Sequence, residues 1–241
     1  DVDERKWEKI KEEHSEWYCK KIFPKVKKAF EELKKLYEDK FSDYQELERY
    51  VEMLKKIVAE EKEFVIKEEL FLYYKINEIE KLRNLMQKVG KKKSVLEVCF
   101  DKLKIPKKYL PNQLFCYEKL QNGNKDWGRH KLLSLMKIEV CPYCQRNYIS
   151  NYEENNGKKT TADLDHFYPK SDYPFLALSL YNFIPSCQIC NSRFKGNKDV
   201  CDSIYPYEEG FDELGVKFKT SKEVISEILG EKKSDFSVEI D

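Results

Sequence analysis

Apolar residues recur at helical spacing through the first ninety positions of the chain. Trp7, Ile10, Trp17 and Ile22 lie roughly on one stripe before Pro24. Val26, Phe30, Leu33 and Tyr37 then follow at steps of four, three and four, one face of a second helix. Ser42-Asp-Tyr-Gln45 has capping-box spacing and predicts the start of a third helix, in which Leu47, Val51, Leu54 and Val58 keep the 3.6-residue period. Ile76, Ile79, Leu82, Met86 and Val89 predict a further helix that stops at Gly90. Ser94-Val-Leu-Glu97 repeats the capping pattern for a short helix. Pro106 and Pro111 punctuate the chain after it, and Gln121-Asn-Gly-Asn124 reads as a turn or linker. From Asp126 to Met136 the period is helical again, with Leu132, Leu133 and Met136 inward.

The pattern then changes. Cys141-Pro-Tyr-Cys144 is a short knuckle, Arg146–Tyr152 is strand-like, Asn155-Asn-Gly157 is a reverse-turn signal, and Thr160–Phe167 reads as the returning strand. Apolar Phe175–Leu180 and an expected bend at Pro185 lead to a second knuckle, Cys187-Gln-Ile-Cys190. A helix from about Ile189 to Lys195 follows. Val216–Phe218 and Phe236–Ile240 predict a late strand pair. The expected fold class is α+β, mainly α. A helical region, 1–122, would support the site or dock a partner. The cysteine-bracketed region is 123–204, and an acidic extension covers 205–241.

Charged residues make up 37% of the 241 positions, which suits long solvated helices, and no apolar stretch approaches the length that crosses a bilayer. The opening residues, Asp-Val-Asp-Glu-Arg, carry no apolar export signal, so a cytoplasmic location is expected. Of eight cysteines, four fall in two Cys-x-x-Cys pairs, which favours metal ligation in a reducing compartment over a disulfide framework. Cys19, Cys99, Cys116 and Cys201 have no such spacing and read as buried or partly buried thiols. A net charge of +1 does not by itself suggest nucleic acid. Yet residues 83–131 hold 13 Lys and Arg against 4 acids, whereas residues 201–241 hold 5 against 11. The middle can face phosphates, or simply be a solvated face; the tail is unsuited to that role.

Candidate chemistry sits between and beside the cysteine pairs. Four thiolates in two close pairs make a soft tetrahedral site of the structural-zinc kind. A zinc clip does not require Asp165, His166, Asn182 and Asn191. Asp165 and Asn191 offer oxygen ligands suited to Mg²⁺ or Mn²⁺. His166, with an ordinary pKa near 6.5, is the natural general base. Lys195 and Arg193, about one turn beyond Asn191, are candidates to hold a phosphate oxygen, and Lys170 is a third candidate for nucleic-acid contact. Asp163 reads either as an added ligand or as an exposed strand acid. Tyr168 and Tyr173 read as substrate contacts or as packing. His14 and His130 are expected to be surface or partly packed residues, with His130 close enough to the first knuckle to approach the site. Neighbouring strand residues point opposite ways, so Asp165 and His166 face one site only if the strand ends there.

With the cysteine pairs, Asp165-His166 and both asparagines in this order, the run from Cys141 to Lys195 resembles the HNH (ββα-metal) nucleases of the four-cysteine zinc type. The segment Leu164–Gly196 is similar to HNH proteins of bacterial anti-phage defence systems of the Septu and retron-associated kind, including those paired with an ATPase. The resemblance covers roughly residues 125–210. Asn191 stands where the third letter is often His, as in an HNN variant. The resemblance implies a ββα-metal core and an endonuclease acting on DNA, most readily double-stranded. It further implies structural zinc, catalytic Mg²⁺ or Mn²⁺, and an ATPase partner docked on the N-terminal helices. Asn182 would brace the loop and orient His166. Two alternatives stay open: a non-catalytic zinc-stapled nucleic-acid-binding or adaptor module, and an RNase or toxin with the same site.

Overall fold

A computed structural model of the chain describes residues 4–67, 79–89, 93–122, 127–154, 157–198, 200, 203–208, 210, 215, 218–220 and 238–240. Among these the architecture is mainly helical, with small two-stranded sheets. Helix α1 (Glu4–Lys21) buries Ile10, His14, Ser15 and Tyr18. Helix α2 (Phe23–Tyr37) carries Pro24 in its first turn, where a missing amide costs nothing, and buries Val26, Ala29 and Leu33. Helix α3 (Gln45–Glu60) buries Leu47, Tyr50, Val51, Met53, Leu54 and Ile57.

The two expected capping boxes fare differently. Ser94 has extended backbone and accepts the Glu97 amide, while the Glu97 carboxylate accepts the Ser94 amide at 2.8 Å. Ser42 instead lies inside a 3₁₀ turn (Glu38–Asp43), and α3 opens after Tyr44 with no side-chain cap. Its backbone is already committed to the preceding turn, so the hydroxyl does not reach the next helix. Short helices α4 (Glu63–Ile66) and α5 (Ile79–Met86) follow. The strand pair β1 (Lys88–Val89) and β2 (Lys93–Ser94) comes next, then α6 (Val95–Leu103), α7 (Pro111–Leu114), α8 (Glu118–Gln121) and α9 (Arg129–Met136). The helix expected to run to Gly90 ends at Met86, and Val89 lies in β1; Gly90 and the turn residues Gly123 and Asn124 lie outside the described residues. Helix α9 buries Leu132, Leu133 and Met136, as the periodicity requires.

The sheet pairing departs from the single hairpin expected from the sequence. Strand β3 (Asn151–Glu154) pairs with β4 (Gly157–Thr160). The chain breaks at Thr161, and β5 (Ala162–His166) pairs antiparallel with the distant β6 (Phe183–Cys187). Pro185 is therefore inside a strand, opposite Leu164, and makes no bend. A two-stranded ladder leaves each strand an outer edge where a proline needs no donor. A π-helical turn, Ile189–Lys195, follows β6 and ends at Gly196, whose φ of 55° is the left-handed geometry glycine adopts freely.

The chain divides into two compact units, residues 1–201 and 202–241. The divide expected near residue 122 falls inside the first unit, where helices and cysteine region share a core. Phe64, Phe115, Phe175, Tyr50 and Phe100 form a continuous aromatic chain with centroid spacings of 5.8–5.9 Å, joining α3, α4, α6 and the 3₁₀ turn Pro174–Leu176. Within the second unit, β7 (Phe218–Thr220) pairs with β8 (Val238–Ile240), about two residues from the expected first strand. Among the described residues no helix is long and apolar enough to cross a membrane.

Candidate metal centre and catalytic cleft

The Sγ atoms of Cys141, Cys144, Cys187 and Cys190 all lie within 4.8 Å of one another. Cys141 and Cys144 belong to the loop after α9, whereas Cys187 ends β6 and Cys190 opens the π-helical turn. The cluster therefore ties the first knuckle to the strand–helix junction. A tetrahedral zinc with Zn–S bonds near 2.3 Å has sulfur–sulfur edges of about 3.8 Å, so the four thiols fit such an ion with little adjustment. Burial works against ionisation of Cys187. The Cys190 amide at 3.5 Å and the Asn147 Nδ2 at 3.2 Å outweigh it and bring the thiol down to about 7, towards the thiolate a metal binds. Cys19, Cys99 and Cys116 are free thiols, Cys99 buried and the others half-buried; Cys201 lies outside the described residues.

Beside this clip an open cleft of about 250 Å³ is bordered by Asp163, Asp165, His166, Asn191 and Lys195, among others. Asp165 and His166 both reach it although they are neighbours, because β5 ends at His166. Asp165 is 4% exposed; its Oδ2 accepts the Tyr143 hydroxyl at 2.6 Å and its Oδ1 the Lys195 ammonium at 3.1 Å. Burial pushes its carboxyl up, and Lys195 and Tyr143 oppose that shift. His166 is 7% exposed and lies between Tyr117, at 4.6 Å, and Phe183, at 5.3 Å, both edge-on. Its Nε2 lies 3.0 Å from the Ala177 carbonyl. A carbonyl only accepts, so Nε2 carries the proton and Nδ1 is the basic nitrogen. Burial lowers the ring to about 4, with the Lys170 and Lys195 charges acting in the same direction, and keeps it neutral at cellular pH.

Asn182 is fully buried behind the cleft. It donates to the Tyr168 and Leu176 carbonyls at 3.1 and 2.9 Å and accepts the Tyr168 amide at 2.8 Å. It thus braces the loop after β5 rather than bordering the cleft. Asn191 does not bond Asp165: its Nδ2 donates to Asp163 at 3.0 Å, which leaves Oδ1 to accept or coordinate. Asp163 is part of the cleft. Lys195 is engaged by Asp165 and by the His166 carbonyl at 2.6 Å, so its ammonium serves an internal pair where a phosphate contact was expected. Lys170 borders the cleft, 3.3 Å from Glu118 and over the Tyr117 ring. Arg193 is exposed and outside the cleft lining. Tyr168 and Tyr173 are buried and pack on each other at 5.2 Å.

Several cleft residues are not singled out by the sequence. Arg129 borders the cleft 4.0 Å from Asp163, and Tyr143 and Tyr117 hold Asp165 and His166. Tyr143 lies within the first Cys-x-x-Cys, the one local signal available for it. For His14 the expectation of a surface or partly packed residue needs correction, because it is completely buried; His130 is partly packed as expected, and bonds the Lys159 carbonyl at 3.1 Å without lining the cleft.

No family model matches the chain, and no solved structure matches it at a significant level. Among curated proteins it is similar to the Septu protein PtuB of Bacillus thuringiensis, with 34% identity over 85 residues. That stretch is 34% of this chain and spans 30% of the relative's length.

Proposed function

We propose that this protein is a metal-dependent HNH-type endonuclease that hydrolyses phosphodiester bonds in double-stranded DNA. In this reading it is a cytoplasmic effector of prokaryotic anti-phage defence and acts with an ATPase partner. The observation that carries the reading is His166. It is a neutral ring with Nε2 committed to Ala177 and Nδ1 left as base, beside a buried carboxylate in an open polar cleft. The defence role rests on the similarity to Septu protein PtuB and on the resemblance of residues 164–196 to HNH proteins of such systems. In this reading β5, β6 and the turn 189–195 form the ββα-metal core, and the four cysteines hold structural zinc.

The cleft's donors fit a hard divalent cation. Asp165 and the Asn191 Oδ1 are oxygen ligands, with Asp163 alongside, and the Lys195 ammonium on Asp165 marks a position that accepts positive charge. Mg²⁺ or Mn²⁺ bound there would neutralise the scissile phosphate and the departing oxygen. The chain's own residues do the rest. His166 takes a water proton at Nδ1. Tyr117 and Phe183 keep the ring in place, and Asn182 holds the loop that carries Ala177. Arg129 and Lys170, at the cleft margin, hold phosphate oxygens, and Lys195 is placed to join them in exchange for Asp165.

A second reading, a zinc-stapled nucleic-acid-binding module without chemistry, is favoured by the Lys195–Asp165 pair, which already neutralises the ligand a catalytic ion needs. Incubation of supercoiled plasmid, single-stranded DNA and RNA with protein and Mn²⁺ separates the readings. Metal-dependent cleavage of plasmid is expected, with His166→Ala slower by about 10²–10⁴-fold. Equal cleavage by both proteins removes His166 as base. Binding without cleavage, unchanged on loss of Asp165, His166 and Asn191, supports the adaptor, and preferential cleavage of RNA makes the protein an RNase.

A further inference from the structure

Three successive carbonyls, starting at the last residue of the 3₁₀ turn Pro174–Leu176, each accept a buried side-chain N–H. The Leu176 carbonyl takes Asn182 Nδ2 at 2.9 Å, that of Ala177 takes His166 Nε2 at 3.0 Å, and that of Leu178 takes His14 Nε2 at 2.8 Å. The first two donors belong to the motif around the cleft. The third comes from helix α1, more than 160 positions away in sequence. His14 is itself held: the Trp127 indole N–H donates to its Nδ1 at 3.2 Å, and Trp17 stacks on its ring at 5.6 Å. An indole donates only and a carbonyl accepts only, so both partners demand the same neutral tautomer of His14, protonated at Nε2. Phe183 stands edge-on to both imidazoles, 6.1 Å from His14 and 5.3 Å from His166, a second link between the rings.

We infer that His14 is a positioning residue for the catalytic base: by fixing the Leu178 carbonyl it fixes the adjoining Ala177 peptide, which holds His166 in its Nε2–H tautomer. The peptide carrying the Leu178 oxygen and the one carrying the Ala177 oxygen meet at the Leu178 Cα, so freeing the Leu178 carbonyl loosens the two dihedrals at residue 178 that set one plane against the other. Asn182 clamps the stretch at 176 and His14 clamps it at 178. The acceptor for His166 is held between two anchors, one from the cysteine region and one from the N-terminal helices. A packing role alone needs an apolar ring at position 14; a buried imidazole with both nitrogens engaged is a hydrogen-bonding device. The inference rests on the proposed function for its catalytic consequence, but not for its structural content.

The test uses the full chain. It holds only three histidines, so ¹⁵N-histidine labelling gives a tractable long-range spectrum at neutral pH. In the wild type His166 shows the Nε2–H tautomer alone. His14→Phe fills the space without a donor, and His166 should then show averaged tautomers. Plasmid turnover at saturating DNA should fall about ten- to a hundredfold with little change in half-saturation. His14→Gln, whose amide reaches the same carbonyl, should restore both readouts. If His14→Phe does not fold, Trp127→Phe takes its place by releasing His14 Nδ1. A folded His14→Phe or Trp127→Phe protein with an unchanged His166 signal and unchanged turnover overturns the inference while leaving the nuclease reading intact. An altered His166 signal in His14→Phe or Trp127→Phe, together with a wild-type protein that cleaves nothing, upholds the positioning and removes the nuclease.

Discussion

His14 and His166 share one chemical situation, a buried imidazole whose Nε2–H goes to a backbone carbonyl, and both are pushed by burial down to about 4. In the unfolded chain each returns to about 6.5 and binds a proton more readily than in the native state. The stability they contribute is therefore complete above about pH 6.5 and is lost as pH falls towards 4, each by up to about 3 kcal/mol. Asp165, raised above its ordinary range, acts in the opposite sense and offsets part of this within the carboxylate range. Urea midpoints at pH 7, 5.5 and 4.5 should fall steeply over that interval, and a flat series contradicts the burial of these rings. Asn182→Ala strips three partners at once inside the core and should cost about 2–4 kcal/mol by the same titration. Lys195→Met leaves Asp165 buried without its cation and should destabilise by about 3 kcal/mol. A protein of wild-type midpoint would mean that Asp165 finds another partner or is protonated.

At the scale of elements, the four sulfurs bring the knuckle loop 141–144 and the β6–turn junction to one point, where a bound ion would tie them together. Metal analysis should give one zinc per chain. Chelation, or Cys187→Ser, should abolish it and expose the knuckle 141–144 and the turn 189–195 to proteolysis while the helices keep their circular dichroism. Much of this region can be read locally. The Cys-x-x-Cys spacing, the π-helical turn at 189–195 and the α9 face at Leu132, Leu133 and Met136 are all settled by neighbours within a few residues. The pairing of β5 with β6 cannot be read that way. A strong turn signal at 155–157 claims the whole following strand, and the true partner contains Pro185, which reads as a breaker. Thr161, where β4 gives way to β5, carries no special residue. Asp165, His166 and Asn182 are legible because they lie between the two cysteine pairs, in the order the HNH resemblance requires. Arg129, Tyr117 and His14 come to the cleft or its support only through tertiary packing, so no spacing exposes them.

In the first unit the helices and the cysteine region are parts of one body. Besides the His14 bond, Trp7 of α1 donates to the Tyr181 hydroxyl at 3.1 Å, and Phe175 is enclosed by Tyr50 and Phe115. Excised residues 123–204 should therefore fail to fold with zinc in place, as an ¹⁵N spectrum would show; a dispersed spectrum would give the cysteine region a core of its own. On this account the helices do more than present a surface to a partner, since they complete the support of the catalytic ring. The most direct test of the central claim is chemical rescue in the full-length protein. His166→Gly should cleave plasmid in Mn²⁺ hundreds of times more slowly than wild type, about the usual loss for a missing general base, and added imidazole should restore part of the rate. A His166→Gly protein that cleaves as fast as wild type without imidazole would contradict the account.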